Sequence, residues 1–343
     1  MDKWLILAVA GAGKTTHIVN QIDLTRRFLI VTYTNNNINN LRKAIIRKFS
    51  YFPSNITLMS YYQFLLSICY NPYLKDICQA KGVCFKMPPE QTSKYKRNNK
   101  AYYITSDRYL YHNRIAKLCQ QMKVCQLISN RIDKYYDCFF FDEIQDLAGH
   151  DFDLITQIIP HHTEVLFVGD YYQHTYDTSR DGNVNCNLYN DYTKYCKIWE
   201  NAGLKVDVIT LENSHRCSKT ICDYVRNHIG INIYSNNQTE SLVEFVDNQD
   251  KVDKLIGTGM PILFFRERNK YCCCGMNWGE SKGLDDFNDV GVVLNKETLN
   301  KYNNDSLDKL APSTKNKLYV ALTRAKRNVY LIPYVFVDKY KIG

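Results

Sequence analysis

The sequence lacks the features of several protein classes. It contains no Cys-x-x-Cys pair, although it has 13 cysteines among 343 residues. This spacing gives no support to a zinc ribbon or a dithiol redox motif, and the chain is longer than the small disulfide-bonded modules of secreted proteins. No run approaches the roughly 20 apolar residues that a membrane-spanning helix needs. We therefore expect a soluble protein with reduced thiols, located in the cytoplasm or in the nucleus of a host cell.

Acidic residues are scarce in one part of the chain. Residues 81–135 carry twelve lysines and arginines against three acids, so their net charge of +9 equals that of the whole chain. Tyrosines are interleaved with these cations. Cationic and aromatic side chains together suit a groove that follows a nucleic-acid backbone, whereas a solvated lysine-rich surface is the alternative. We interpret residues 65–135 as a basic, Tyr-rich insertion, called the basic insertion below.

Short apolar runs alternate with longer segments of helical pattern along most of the chain. Each run has four to six residues rich in Ile, Val, Leu and Phe, which is typical of parallel strands buried on both faces. The candidate strands are 4–9, 28–33, 56–59, 138–141, 165–168, 206–211, 262–265, 290–294 and 329–332. The alternation predicts an α/β fold with helix-covered parallel sheets. It restarts near 203–206, which predicts domains at 1–205 and 206–343.

The stretch AVAGAGKTT at residues 8–16 has two interpretations. As the end of a signal peptide it is weak, because Asp2 lies in the region that should be basic and the apolar core has only about seven residues. As a P-loop it has a glycine-rich turn, a lysine and a threonine, which together bind phosphates and Mg²⁺ at a helix start. We favour the P-loop, whose residues are Ala10, Gly11, Ala12, Gly13, Lys14, Thr15 and Thr16.

A second candidate element for nucleotide chemistry lies in the stretch CFFFDEIQD at residues 138–146. It has the pattern of an apolar strand that ends in Asp142 and Glu143. Carboxylates at the end of a parallel strand can hold Mg²⁺ and activate a water molecule. An acidic helix start is the alternative. Because a P-loop precedes this stretch, we favour a nucleotide hydrolase.

Six stretches of the sequence together resemble an ordered motif set. They are VTYTN (31–35), DEIQD (142–146), VGDYYQHTYD (168–177), LENSHRCSKTICDYV (211–225), SKGLDDFNDVGVVL (281–294) and YVALTRAKRNVYLI (319–332). Their order and spacing are similar to those of superfamily 1A DNA helicases of the UvrD/Rep/PcrA family. The resemblance implies two RecA-like P-loop NTPase domains with parallel sheets, an ATP cleft between them and the basic insertion in the first. It further implies an ATP-dependent translocase or helicase that moves 3′ to 5′ on single-stranded DNA.

The resemblance implies roles for the residues that match the family's phosphate-binding motifs. Lys14 and Thr15 would bind the β- and γ-phosphates of ATP and the Mg²⁺ ion. Asp142 would hold the same ion, and Glu143 would activate the attacking water molecule. ATP and Mg²⁺ are therefore the expected cofactors.

Further residues of the motif set would respond to the γ-phosphate. Gln173 would sense it, and Arg216 and Arg324 would act as arginine fingers, which can raise the rate of phosphoryl transfer by about 10³ to 10⁵. The resemblance thereby implies that hydrolysis drives a domain closure and a step along the strand. The other candidate nucleotide contacts are His215, Gly283 and Asp285.

Contacts with the nucleic acid are implied by two further matches. Tyr33 matches an aromatic residue that stacks on a base, although a core position at a strand end would also suit a tyrosine. Asn35 matches a polar contact, and residues 60–64 stand where the family has another strand contact. The candidates are Thr32, Tyr33, Asn35, Ser60, Tyr61 and Tyr62. The expected partners are single-stranded DNA or a duplex with a single-stranded tail, with RNA left open.

The sequence also departs from the family pattern. Only ten residues precede Gly11, which is too few for the segment that reads adenine, so adenine specificity stays open. His215 replaces a tyrosine that stacks on the base. Only 65 residues separate Arg216 from Lys282, which leaves no room for the family's second large insertion. We expect a minimal motor, and the alternative is a DNA-stimulated ATPase that acts through a partner protein such as a nuclease.

Overall fold

The computed structural model describes residues 1–175, 181–284 and 287–342. Within these ranges the strands are β1 Lys3–Leu7, β2 Phe28–Thr32, β3 Ile56–Ser60, β4 Gly82–Cys84, β5 Tyr109–Tyr111, β6 Cys138–Asp142, β7 Glu164–Gly169, β8 Lys205–Asp207, β9 Asn213–Ser218, β10 Tyr234–Asn237, β11 Val243–Phe245, β12 Ile262–Phe264, β13 Gly275–Asn277, β14 Asp289–Leu294 and β15 Asn328–Pro333. Every predicted strand overlaps an observed one.

Helices follow most of these strands. They are α1 Lys14–Asn20, α2 Asn35–Phe49, α3 Tyr61–Phe64, α4 Asn71–Cys78, α5 Ile115–Gln121, α6 Cys125–Tyr135, α7 Gly149–Gln157, α8 Tyr192–Asn201, α9 Lys219–Tyr224, α10 Gln249–Gly257, α11 Lys296–Asn303 and α12 Pro312–Leu322. Over the described residues, no helix has both the length and the apolar character needed to cross a membrane.

The first sheet has the strand order β3-β2-β6-β7-β1-β8. Its ladders β3–β2, β2–β6, β6–β7 and β1–β8 are parallel. Phe139, Phe140 and Phe141 of β6 have no exposed surface, and Phe139 packs edge-on against Phe167 of β7 with ring centroids 5.3 Å apart. Burial on both faces explains why these strands appear in the sequence as continuous apolar runs.

The strand expected at 206–211 is shorter than predicted. β8 pairs with β1 over Lys205 to Asp207, after which the chain leaves the sheet. Val208 and Ile209 are 44% and 70% exposed. Their β-branched side chains suggested a continuing strand, but their exposure means that the apolar pattern there does not reflect burial in the sheet.

The chain after β3 forms a helical segment with a wide central turn. Ser60 caps α3, because its Oγ accepts from the amide of Gln63 while the Gln63 side chain accepts from the amide of Ser60. Residues Leu65–Tyr70 then form a π-helical stretch that leads into α4. Pro72 at the start of α4 has no amide hydrogen, which favours an irregular turn immediately before it.

A five-stranded parallel sheet with the order β11-β15-β14-β12-β13 forms the core of the C-terminal part. Buried apolar side chains on this sheet include Ile262, Phe264, Val293 and Ile332. Two smaller parallel sheets, β4–β5 and β9–β10, lie outside the larger ones. Parallel sheets with connecting helices are the α/β architecture that the sequence predicts.

The chain packs into two compact units. Among the described residues, the first unit comprises 1–6, 15–169 and 181–207, and the second comprises 7–14, 170–175 and 208–342. The segments 7–14 and 170–175 therefore pack with the C-terminal residues. The domain limits 1–205 and 206–343 stay a prediction, because they describe a division along the sequence rather than this packing.

Candidate functional site

The P-loop segment, residues 8–13, joins the end of β1 to the start of α1. Gly11 and Gly13 have φ values of 72° and 83°, a region in which glycine is far more stable than other residues. The amide of Ala12 donates to the carbonyl of Val9 at 3.3 Å, which closes the turn. A strand, a glycine turn and a helix that begins at Lys14 form the structural context that a phosphate-binding loop requires.

The backbone of the P-loop segment is closely packed within the second unit. The amide of Val9 donates to the carbonyl of Leu211 at 3.0 Å, and the carbonyl of Gly11 accepts from the amide of His215 at 2.9 Å. A Cβ at Gly11 would lie 2.6 Å from Cβ of Arg216 and 2.8 Å from Oγ of Ser214. Position 11 therefore requires glycine for its backbone angle and for its close packing.

A buried hydrogen-bond network connects the P-loop segment to Gln173. The amide of Ala10 donates to Oη of Tyr319 at 2.8 Å, and this hydroxyl donates to Oδ2 of Asp170 at 3.1 Å. The same Oδ2 accepts from Nε2 of Gln173 at 2.8 Å. Burial and the nearby carboxylate of Asp170 raise the pKa of Tyr319 well above its usual value, so its hydroxyl stays protonated and can act as a donor.

Sequence reasoning assigned no role to Asp170 or Tyr319. Both lie inside motifs of the ordered set, VGDYYQHTYD and YVALTRAKRNVYLI, so the sequence pattern includes these two residues. Their roles could not be derived there because the contact joins residues 149 positions apart. Tyr319 lies on α12, and Arg324 follows two residues after that helix ends. The network thus links a P-loop amide to the helix that precedes a predicted arginine finger.

The two predicted arginine fingers are both held by backbone carbonyls of the second unit. One guanidinium nitrogen of Arg216 donates to the carbonyl of Thr323 at 3.3 Å. Arg324 is 1% exposed, and its guanidinium donates to the carbonyls of Val320 at 3.1 Å and Leu284 at 3.2 Å. These bonds fix both side chains near the C-terminal end of α12. Their action on a γ-phosphate stays a prediction.

The acidic pair lies in the first unit, at the end of β6. Asp142 is buried, and its Oδ1 accepts from the amide of Glu143 at 3.0 Å. Glu143 has a φ of 59°, in the left-handed region that few residues other than glycine adopt, and its carboxylate accepts from the side-chain amide of Gln145. Such backbone strain occurs at some functional positions, but several other residues of the chain share it. The catalytic role of Glu143 therefore stays a prediction.

The donor groups present are suited to Mg²⁺ and a nucleoside triphosphate. Thr15 offers a hydroxyl and Asp142 a carboxylate, which are the oxygen ligands that Mg²⁺ prefers. The positive φ at Gly11 and Gly13 belongs to the type of loop that presents amides to phosphate oxygens. His215 and Gly283 are exposed, whereas Asp285 lies outside the described residues. The residues present therefore fit the expected cofactors.

The candidate nucleic-acid contacts separate into exposed and buried residues. Tyr33 and Tyr62 are partly exposed and Asn35 is exposed. Thr32 and Tyr61 have no exposed surface, so a direct contact of either with a strand stays a prediction that would require their side chains to become accessible. Thr32 lies inside the β2–β3 ladder, and the ring of Tyr61 supports Tyr33 in a stacked pair with centroids 6.0 Å apart. The sequence motif could not tell which side chains of this segment face outward, and the contact of the segment with a strand stays a prediction.

Two cations of the basic insertion are buried in an ion cluster. Arg114 and Lys117 contact Asp181 at 2.9 and 2.7 Å, and the Tyr102 hydroxyl donates to the same carboxylate at 2.7 Å. Burial alone would raise the pKa of Asp181, but the hydrogen bonds from Lys117 and Tyr102 outweigh it and lower that pKa. The positive charge that the insertion presents to a ligand is therefore smaller than the sequence count suggests.

Comparisons with known proteins define the class. The sequence model described as "AAA domain" matches residues 2–179, and the model described as "Viral superfamily 1 RNA helicase core domain" matches residues 116–332. Each match covers more than half of the chain, which therefore belongs to the viral superfamily 1 RNA helicase core family. This membership confirms the coarser part of the predicted family, an NTP-hydrolysing helicase of superfamily 1, whereas the UvrD/Rep/PcrA assignment within it stays a prediction. A search of curated proteins found no similar sequence.

The fold is similar to that of solved viral helicases. Arterivirus nonstructural protein 10, a helicase solved in complex with DNA, has 14% identity over 98% of this chain and 63% of its own, with a TM-score of 0.52. Another crystal structure of arterivirus nonstructural protein 10 has 15% identity over 96% and 59% of the two chains, with a TM-score of 0.48. The PRRSV helicase has 14% identity over 99% and 54%, also with a TM-score of 0.48.

The first of these likenesses confirms the predicted fold class, an α/β fold of the RecA-like helicase type. The chain spans less than two thirds of the length of that helicase. Substrate, direction of movement and partners of the chain are therefore matters for proposal.

Proposed function

We propose that the chain is an ATP-driven motor that moves along a single strand of nucleic acid and separates the duplex ahead of it. The observation that carries the proposal is the buried network Ala10–Tyr319–Asp170–Gln173. It joins an amide of the phosphate-binding loop to the predicted γ-phosphate sensor and to α12. A change at the loop would therefore reach the helix that precedes Arg324, which is the coupling that a motor needs.

The chain's own residues would divide the work of hydrolysis. Lys14 and the amides of the P-loop would bind and orient the phosphates, and Thr15 and Asp142 would supply the ligands for Mg²⁺. When bound, Mg²⁺ neutralises phosphate charge during phosphoryl transfer. Glu143, held by Gln145, would orient the attacking water molecule and accept its proton. Arg216 and Arg324 would contribute positive charge to the transferring phosphoryl group.

The kind of strand is the finer part of the proposal. Resemblance to the UvrD/Rep/PcrA helicases implies single-stranded DNA and movement from 3′ to 5′. The matched family is instead described as an RNA helicase core, and an arterivirus neighbour was solved with DNA. Aromatic stacking tolerates every base, so the partly exposed Tyr33 and Tyr62 suit either strand. We propose single-stranded DNA as the primary substrate and RNA as its competitor in the test.

Steady-state ATP hydrolysis tests the proposal. Turnover should rise strongly with saturating single-stranded DNA, and less with RNA of the same sequence and length. Glu143→Gln is the blank, because it keeps the side-chain size while removing the base. Stimulation that persists in this variant would point to a contaminating ATPase. Hydrolysis that responds to neither strand would overturn the proposal.

Duplexes with a single 3′ or 5′ tail test direction and strand separation. A motor that moves 3′ to 5′ unwinds the substrate with the 3′ tail and leaves the other intact. The second candidate function is a strand-stimulated ATPase that acts through a partner protein. It is favoured by the 65 residues between Arg216 and Lys282, too few for a second large insertion. Stimulated hydrolysis without unwinding of either duplex would support this second candidate.

A further inference from the structure

Three aromatic rings form a cluster at the edge of the basic insertion, in the first unit. The Tyr62 and Phe85 rings meet edge-on with centroids 5.6 Å apart. Phe85 and His112 stack with centroids 5.8 Å apart and an interplanar angle of 26°. The Tyr62 and His112 centroids are 6.4 Å apart, so each ring contacts both others. We call Tyr62, Phe85 and His112 the aromatic cluster.

The backbone of the insertion fixes the cluster in place. β4 and β5 pair in parallel with Cys84 opposite Tyr111, which brings the next residues, Phe85 and His112, side by side. Nδ1 of His112 lies 3.3 Å from the carbonyl of Cys84. Tyr62 comes from α3, immediately after the helix cap at Ser60. The cluster therefore joins the insertion to the segment in which sequence reasoning placed strand contacts.

Phe85 is exposed even though rings support it. It is 68% exposed, and Met87 two residues later is 63% exposed. Burial of an apolar ring is favourable, so a large exposed ring often marks a binding surface. The exposed surface of Phe85 is therefore available to a ligand. His112 stacks on one face of Phe85 at an interplanar angle of 26°, so a further planar group would stack on the opposite face of the ring.

The charge around the cluster indicates the class of ligand. Residues 81–100 contain six lysines and arginines and one acid. Lys81, Lys86, Lys94, Lys96 and Arg97 are exposed. Exposed cations in the same segment as an exposed aromatic ring are the combination that binds a single strand, since cations contact phosphates while rings stack on bases. An apolar protein partner would not require this density of positive charge.

We propose that Phe85, supported by His112 and Tyr62, is a base-stacking site for single-stranded nucleic acid on the basic insertion. It would act in addition to Tyr33, which belongs to the motif-based contacts. The inference rests on the proposed function, because it supplies that motor with a second contact on the strand. Since Tyr61 packs against both Tyr33 and Tyr62, the two contacts belong to one continuous series of rings.

Equilibrium binding of short oligonucleotides to the full chain tests the proposal. Phe85→Leu keeps an apolar side chain but has no π-face, and Phe85→Trp keeps the π-face. We expect Phe85→Leu to weaken binding of single-stranded DNA by about 5- to 150-fold, the range for loss of one stacked base, and Phe85→Trp to bind as the wild type does. Met87→Ala is the matched control, because Met87 is similarly exposed but belongs to no ring pair of the cluster.

Stacking itself can be observed with 2-aminopurine placed at successive positions of the oligonucleotide. One position should show a fluorescence change on binding that Phe85→Leu abolishes and Met87→Ala preserves. Binding by Phe85→Leu that equals the wild type would overturn the stacking site, and the patch would then be a surface for another protein. Failure of the wild-type chain to bind any strand would instead refute the motor itself. The two failures are therefore distinguishable.

Discussion

The P-loop segment and the aromatic cluster differ in how closely they are packed. Backbone hydrogen bonds fix the P-loop segment, and Gly11 is so closely approached that a single added carbon would collide with Arg216. The β4–β5 pairing brings two rings of the cluster together, but side-chain contacts complete it and leave Phe85 68% exposed. The proposed phosphate-binding region therefore depends on backbone geometry that a short motif encodes. The proposed strand-binding region depends on which side chains tertiary packing leaves exposed.

Substitution of the P-loop lysine should affect ATP hydrolysis far more than strand binding, which is the largest difference that we expect between the two regions. We expect Lys14→Ala to lower kcat for ATP hydrolysis by about 10³-fold or more, because a positive charge at the transferring phosphoryl group is removed. Strand affinity should change little. Steady-state hydrolysis and fluorescence anisotropy with a labelled oligonucleotide measure the two effects. Equal losses of turnover and of strand binding, together with a lower melting temperature, would mean that Lys14 supports the fold instead.

Gly11→Ala tests whether backbone geometry governs the P-loop segment. The variant places a side chain at a φ of 72° and brings Cβ to 2.6 Å from Arg216, so nucleotide affinity should fall at least tenfold. Gly203→Ala is the matched control, because Gly203 has a φ of 94° with no atom within 4 Å of the added carbon. Both variants should lose about 1–2 kcal/mol of unfolding free energy to backbone strain.

Titration with a fluorescent ATP analogue and thermal unfolding separate the two glycine variants. Only Gly11→Ala should lose nucleotide affinity, since the control carries strain without a collision. An unchanged nucleotide affinity in Gly11→Ala would contradict this prediction. It would mean that the P-loop segment accepts an added side chain as readily as an exposed position does.

Tyr319→Phe removes one hydroxyl from the buried network without changing the ring. The amide of Ala10 loses its acceptor and Asp170 loses a donor, while Gln173 keeps its own bond to Asp170. Loss of one partner in a buried bond costs about 1–3 kcal/mol of unfolding free energy. Because Tyr319 also helps to position Asp170 and, through it, Gln173, we expect turnover at saturating ATP and nucleic acid to fall about tenfold. The loss should appear in kcat more than in KM if Gln173 senses the γ-phosphate as proposed.

Tyr103→Phe is the control for the missing hydroxyl. Tyr103 is also buried, and within the described part of the chain its hydroxyl has no hydrogen-bond partner. This variant should keep its turnover. If Tyr319→Phe loses stability and turnover by no more than the control, the network does not couple the P-loop segment to α12.

The fold and the two regions differ in how far the sequence predicts them. Buried parallel strands such as 138–141 are visible as apolar runs, because both of their faces are covered. The P-loop turn is visible because few residue types adopt its backbone angles. Ring contacts such as Phe85 with His112 are not visible, since they arise from the β4–β5 register, which two three-residue strands do not reveal in sequence. The Ala10–Tyr319 bond is equally hidden by 309 residues of separation.

Thr32→Val gives the smallest expected effect and tests whether the buried Thr32 contacts a strand. The hydroxyl of Thr32 is fully buried and makes no hydrogen bond within the described residues, so its removal should stabilise the chain by up to about 1 kcal/mol. Strand affinity should stay at the wild-type value. The adjacent Tyr33→Ala should weaken binding by about 5- to 150-fold, because Tyr33 is partly exposed and its ring is the proposed stacking partner of a base. A loss of affinity in Thr32→Val equal to that in Tyr33→Ala would mean that β2 opens to expose Thr32 when a strand binds. Burial of a side chain in this structure would then not distinguish residues that contact the strand from residues of the core.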